Sequence, residues 1–202
     1  MNTSDYLTQQ IQFLVESEKL KFILRRTSPV KSDRRENSAE HSWSLALMAI
    51  VLAGHANQPL NLLRVLKMVL IHDIVEIDAG DTDAFDTAGN GTKADREKRA
   101  SERIFNLLPT GQASEFRELW QEFEAAVSPD AAFANALDRL MPLIQNFYNS
   151  GEYWRKHGVT SEQSLDRSRP IENSSSALWE YACSLISEAK QQNFYSPQNR
   201  NP

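Results

Sequence analysis

A histidine and an aspartate stand side by side inside an apolar run, Val69-Leu70-Ile71-His72-Asp73-Ile74-Val75. Apolar residues recur at helical spacing from Asn61 to Glu76, which predicts a helix that is apolar around most of its circumference and so enclosed by neighbours. An imidazole and a carboxylate in such a place are costly unless they are paired or hold a cation. The chain must therefore build a core around this segment and also bring partners to its two polar groups.

The rest of the sequence supplies helices to do so. Leu7, Ile11, Leu14, Leu20, Ile23 and Leu24 predict a first helix to about Arg26, broken by Ser28-Pro29. Residues Pro29 to Asn37 are charged and read as an exposed connector, after which Ser38 is placed to cap a helix running to Ala53. With Trp43, Leu45, Leu47, Met48, Ile50, Val51 and Leu52, that helix is expected to be central. Asp81 to Thr92 is polar, holds Asp83, Asp86, Gly89 and Gly91, and reads as a loop. Further helices are expected at Lys93 to Leu108, Gln112 to Val127 and Pro129 to Ser150, the last with Ser128 as cap and Pro129 as first residue. A loop from Gly151 to Asn173 then leads to a final helix capped near Ser174. No segment alternates with period two, so the fold class is all-α, a single globular helical bundle. At 202 residues and 41% hydrophobic content the chain suits one domain over residues 1–190. Residues 191–202 lose apolar content and read as a flexible tail.

The net charge of -5 and the lack of a Lys/Arg run disfavour a nucleic-acid polymer or an anionic membrane as partner, leaving small substrates. Leu45 to Ala53 and Leu62 to Ile77 are too short or too charged to span a bilayer, and Met1 to Gln12 lacks the pattern of a secretory signal. A soluble, cytoplasmic protein is expected. The single cysteine, Cys183, reads as helix packing, His55 as a residue at a helix end, and His157 as a loop residue. Trp120, Trp154 and Trp179 read as core or interface.

His41 opens one apolar helix, and Asp138 lies in Asn135-Ala136-Leu137-Asp138-Arg139-Leu140-Met141, again among core residues. Two imidazoles and two carboxylates from three helices meet the demands of a divalent metal and leave coordination positions for water and substrate. Glu76 falls one turn after His72 on the same face, and Ala79-Gly80-Asp81 returns another carboxylate to that helix end. Plainer readings stand beside these: a metal-free core pair for His72 and Asp73, an ion pair with Arg139 for Asp138, a surface position for Glu76, a turn for Asp81, a solvated helix end for Arg25 and Arg26.

His41 within Ser38-Ala39-Glu40-His41-Ser42, the run from His72-Asp73 through Glu76 to Asp81, and Asp138 within Ala136-Leu137-Asp138-Arg139-Leu140 together resemble the HD-domain superfamily, in particular its 5'-deoxynucleotidase group. The resemblance covers about residues 10–185. It implies an HD-domain hydrolase with one divalent metal (Mn, Co, Fe, Zn or Mg) held by His41, His72, Asp73 and Asp138. The activity implied is hydrolysis of nucleoside 5'-monophosphates to nucleoside and phosphate, by a homodimer. In the group, a Glu at the place of Glu76 serves the attacking water, an Asp at the place of Asp81 assists near the phosphate or leaving oxygen, and an Arg from the end of the first helix contacts phosphate. Arg25 and Arg26 both qualify for that last role, and counting back from His41 favours Arg26. Bacterial members carry Arg-Trp where this chain has Arg26-Thr27, a departure that bears on base and sugar contacts.

Alternatives to a monophosphatase are a hydrolase of another nucleotide phosphoester, such as a deoxynucleoside triphosphate, and a metal-containing nucleotide sensor without turnover. A cyclic-dinucleotide hydrolase is disfavoured, because no histidine between Asp73 and Asp138 is available for a second metal.

Overall fold

The helix Pro129–Tyr148, here α7, is the axis around which the others pack. Ser128 caps it through a bond from the Ala131 amide to its hydroxyl, and Pro129 takes the first turn, where a missing amide costs nothing. Ala131, Phe133, Ala134, Ala136, Leu137 and Leu140 are all buried, and Pro142 inside the helix withholds the amide that would bond the Asp138 carbonyl. The computed structural model describes residues 3–82 and 87–196. In chain order the other helices are α1 (Thr3–Ser17), α2 (Ser38–Leu52), α3 (Leu62–Ile71), α4 (Glu76–Ala79), α5 (Thr87–Phe105) and α6 (Thr110–Ala125), then α8 (Glu152–His157), α9 (Ser161–Ser168), α10 (Ile171–Ser174) and α11 (Ser176–Gln191). Helices α2, α3, α6, α9, α10 and α11 all lie against α7. The described residues hold no strand, only an isolated bridge between Leu24 and Asn37, so the fold is all-α.

Several boundaries differ from expectation for local reasons. The first helix does not reach Arg26: it ends at Ser17, tightens into a 3₁₀ turn over Glu18–Phe22, and becomes extended at Ile23. Backbone pairing then takes over, with the Arg25 amide donating to the Glu36 carbonyl (2.9 Å), Glu36 to Thr27 (3.0 Å) and Ser38 to Ile23 (3.0 Å). The charged connector is thus pinned at both ends, and Glu36 is turned inward and buried. The cap of α2 is Asn37, which forms a reciprocal box with Glu40, so Ser38 sits in the first turn with its hydroxyl free for another task.

The helix expected through Glu76 is interrupted: α3 stops at Ile71, a 3₁₀ turn carries His72–Val75, and α4 ends at Gly80, whose φ of +75 favours glycine. Helix α5 begins at Thr87, earlier than the loop reading allowed, while Asp83 and Asp86 lie outside the described residues. The expected loop at Gly151 to Asn173 is instead three short helices; Thr160 and Gln163 form a capping box that starts α9. After α11 the chain turns back, and Tyr195 stacks on Trp154 with centroids 4.3 Å apart. Phe194 packs so close to Gly151 that a Cβ there would collide with it. Residues 197–202 of the expected tail lie outside the described residues.

Helix α2 is not central. It buries Ser38, His41, Ser42, Leu45 and Ala49 and leaves Trp43 and Val51 66% and 67% exposed, with Leu47 and Ile50 beside them. Leu7, Ile11, Leu14 and Val15 of α1 are exposed as well. Apolar content predicts that a helix must be covered, and within one chain these faces are not.

Candidate metal centre

Three helical elements meet where α2, the 3₁₀ turn after α3, and α7 approach one another. His41 lies in the first turns of α2 and is fully buried; His72 and Asp73 begin the 3₁₀ turn; Asp138 comes from mid-α7. The tightened turn places consecutive residues His72 and Asp73 toward one point, with His72 Nε2 3.0 Å from Asp73 Oδ1. His41 Nε2 lies 2.9 Å from Asp138 Oδ1, and that oxygen is 3.8 Å from His72 Nε2. One ligand-type atom from each of His41, His72 and Asp73 falls within 4.8 Å of the others.

The donor set suits a divalent ion on its own geometry. His72 Nδ1 donates to the Val69 carbonyl at 2.9 Å, which turns Nε2 into the cluster, and Nε2 is buried without a hydrogen-bond partner. His41 Nδ1 faces the Glu36 carboxylate at 3.6 Å, so its Nε2 likewise points at the cluster. Phe123 packs on His72 with centroids 4.8 Å apart and makes a dry wall.

Charge shapes every group here. Burial works against a charged His72, but the adjacent Asp73 carboxylate outweighs it and holds the imidazole up at about 9. Burial works against ionised Asp73 too, and His72, Arg25 and His41 overcome it, pushing Asp73 down to about 2. Asp138 is likewise pulled well below the usual carboxylate range against its burial, chiefly by the bond to His41. Glu76 moves the other way: burial and the charges of Asp73 and Asp81 push it well above the usual range. Its Oε2 accepts from the Ser38 hydroxyl at 2.8 Å.

Arg25 and Arg26 part company. Arg25 turns inward, donating to Asp73 Oδ2 at 3.1 Å and lying 3.6 Å from Glu36 and 4.0 Å from Asp138; burial works against its charge, and Asp73, Asp138, Glu76 and Asp81 outweigh it. Arg26 lines the cavity beside the cluster, as do Arg25 and Asp81. That cavity opens to solvent and has a volume of about 90 Å³. Its lining also carries Arg139, Arg167, Ser168 and Trp154. His55, His157 and Cys183 line neither the cluster nor this cavity.

Four contributors escaped the reading of the sequence. Glu36 was hidden in a charged run, although its place just before a helix cap is one from which a side chain can turn inward. Ser38 was read as the cap itself. Lys93 and Glu97 form a partly buried pair 3.5 Å apart in α5, close enough for Lys93 to feel Glu76 and Asp138.

An HD domain family model matches residues 17–179. A Magnetospirillum magnetotacticum MS-1 protein, described as a predicted metal-dependent phosphohydrolase, is 48% identical with a TM-score of 0.92, covering 96% of this chain and 97% of that one. A conserved hypothetical protein from Pyrococcus furiosus, 20% identical with a TM-score of 0.63 over 90% of this chain and 99% of that one, shares the fold. The 5'-deoxynucleotidase HDDC2 of Homo sapiens is 33% identical over 112 residues, 55% of this chain and 53% of that protein. The chain thus spans about half the length of this curated relative. Its Dictyostelium discoideum namesake is 25% identical over 81% of this chain and 90% of its own length. With the family match covering most of the chain and the histidine and aspartate cluster at its centre, this protein belongs to the HD domain family.

Proposed function

We propose that this chain is a metal-dependent phosphohydrolase that converts nucleoside 5'-monophosphates, deoxynucleotides among them, to nucleoside and phosphate. The observation that carries the reading is the meeting of His41, His72, Asp73 and Asp138 beside a buried Glu76 of raised pKa, joined through Arg25 to a cavity that Arg26 and Asp81 also line. His41, His72, Asp73 and Asp138 would hold one divalent ion (Mn, Co, Fe, Zn or Mg), which supplies positive charge to polarise a phosphoryl oxygen and acidify water. Glu76, held by Ser38, takes the proton of the attacking water; a carboxylate of raised pKa is the better base. Arg26, on the cavity wall, offsets charge on the phosphoryl oxygens, while Arg25 is occupied in orienting Asp73. Asp81 assists at the leaving oxygen. The substrate class is supported by the HDDC2 relatives, which carry the name 5'-deoxynucleotidase.

Phosphate release from ribo- and deoxynucleoside 5'-monophosphates tests this, using metal-stripped protein resupplied with each ion in turn. Metal-dependent turnover that disappears in Glu76→Ala supports the reading. Absence of turnover in protein that still binds metal would move the function to a triphosphate or to nucleotide sensing.

A cytoplasmic homodimer belongs to the same proposal. It is supported by the exposed faces of α1 and α2, and no helix among the described residues is long and apolar enough to cross a membrane. Sedimentation of the wild type against Trp43→Glu tests the dimer, whose mass is expected to halve in the variant if α2 forms the interface.

A further inference from the structure

Several arginines of this chain are matched to carboxylates: Arg25 to Asp73, Arg34 to Glu40, Arg64 to Glu122, Arg103 to Asp78 and Glu16. Arg139 and Arg167, which line the cavity, are not. They come from different helices, α7 and α9, and converge on the wall of the cavity beside the metal centre. Arg139 donates through one terminal nitrogen to the Arg167 backbone carbonyl at 3.1 Å, and its Nε is buried without a hydrogen-bond partner. No carboxylate among the described residues forms an ion pair with either guanidinium.

Two like charges brought together in a partly buried wall, in a chain with net charge -5, cost stability unless an anion joins them. Ser164 and Ser168, one turn apart on α9, line the same cavity. A guanidinium presents a planar fork that fits phosphoryl oxygens, and a pair of them fits a doubly charged group. In the reading above the phosphoryl group to be hydrolysed is served by the metal ligands and Arg26, which leaves the guanidinium groups of Arg139 and Arg167 on the cavity wall for another.

We propose that Arg139 and Arg167 bind a second phosphoryl group, so that the preferred substrate is a nucleotide carrying two, one placed at the metal and one at the arginine pair. This rests on the phosphohydrolase reading above. The second group has two chemical sources, a phosphate on the sugar hydroxyl, as in a nucleoside 3',5'-bisphosphate, or the next phosphate of a 5'-diphosphate chain. In the first case water attacks the 5'-phosphorus and the ester bond to the 5'-oxygen breaks, leaving a nucleoside 3'-phosphate and inorganic phosphate; in the second, water attacks the β-phosphorus and the anhydride bond breaks, leaving inorganic phosphate and a nucleoside 5'-monophosphate whose α-phosphate the arginine pair would hold.

The test compares kcat/KM for a deoxynucleoside 5'-monophosphate, its 3',5'-bisphosphate and its 5'-diphosphate, in the wild type, Arg139→Gln and Arg167→Gln. One doubly phosphorylated compound is expected to exceed the monophosphate by about tenfold or more, the scale of a charge-assisted contact, and which one does so identifies the source. The excess is expected to fall toward one in both variants. Equal or better use of the monophosphate, or an excess untouched by the substitutions, overturns the proposal. The two arginines lie on separate helices, so if one variant does not fold the other decides. Should no nucleotide be turned over, the phosphohydrolase reading fails on its own, and calorimetric titration of metal-stripped protein with inorganic pyrophosphate decides this one. Binding that weakens about tenfold in either variant supports the arginine site; no binding, or binding unchanged in both, rejects it.

Discussion

The candidate metal centre is rich in carboxylates and the wall of the neighbouring cavity in guanidinium groups, and the two are stabilised differently. At the first end Asp73, Asp138, Glu76 and Glu36 surround two imidazoles and a single inward-facing arginine, Arg25. At the other end, on the cavity wall, Arg139 and Arg167 have no carboxylate paired to them among the described residues. The excess of negative charge at one end suits a cation, and the excess of positive charge at the other suits an anion. Both are preorganised by contacts that leave the functional atoms pointing inward: Val69 and Glu36 orient the imidazoles, and the Arg167 carbonyl orients Arg139. A ligand that bridges them would satisfy both ends at once.

The comparison breaks most severely if a carboxylate of the first end is removed. Asp138→Ala takes away a candidate ligand and leaves Arg25 and His41 with one anion fewer, so bound metal by elemental analysis and phosphate release are both expected to fall to background. Retention of metal would show that Asp138 only pairs with His41. Next in size is Glu76→Gln, which keeps the shape and the Ser38 contact. It is expected to lower kcat by about 10²- to 10⁴-fold, the usual weight of a general base, with metal content unchanged. Loss of metal with it would make Glu76 a ligand.

A smaller effect is expected one layer out. Glu36→Ala frees His41 Nδ1 and the Gln145 amide that donates to Glu36 at 2.6 Å. Metal affinity is expected to weaken by about 10- to 100-fold, as for other carboxylates that orient metal-binding histidines, with recovery in Glu36→Gln or Glu36→Asp. Unchanged affinity would make Glu36 a partner of Arg25 alone.

The smallest effect sharpens the electrostatics of the first end. His72 rises from 6.5 to about 9 in the folded metal-free chain. A raised folded-state pKa means that its contribution to stability is complete below the unfolded value and is lost as pH rises through the folded one. Melting temperature of metal-stripped protein is therefore expected to drift down between about 6.5 and 9, and the drift to flatten in His72→Gln. Metal binding within that window is expected to displace the proton, read as a dependence of calorimetric heat on buffer ionisation. Absence of proton release would mean that His72 is already neutral.

Much of the centre was legible along the chain, because its polar residues interrupt apolar helices and so stand out against their neighbours. His41, His72, Asp73 and Asp138 each carry that local signal. Glu36 does not, since it sits among Asp33, Arg34 and Arg35, and only the backbone pairing with Thr27 and Arg25 turns it inward. The same pairing carries Arg25 to Asp73, a contact that counting residues along the chain does not reveal. The helices between Glu152 and Ser174 were missed because segments of four to eight residues are too short to display a helical period.

The sequence by itself determined an all-helical chain and the buried polar residues that must find partners, since both follow from local periodicity and the cost of desolvation. Only the tertiary structure decided which of those residues meet. Contacts such as Arg25 with Asp73, His41 with Asp138 and Arg139 with Arg167 join positions 28 to 97 residues apart, and they depend on how α2, α7 and α9 cross. The uncovered faces of α1 and α2 follow the same logic: apolar spacing requires that a helix be buried, and assembly of the whole decides against what.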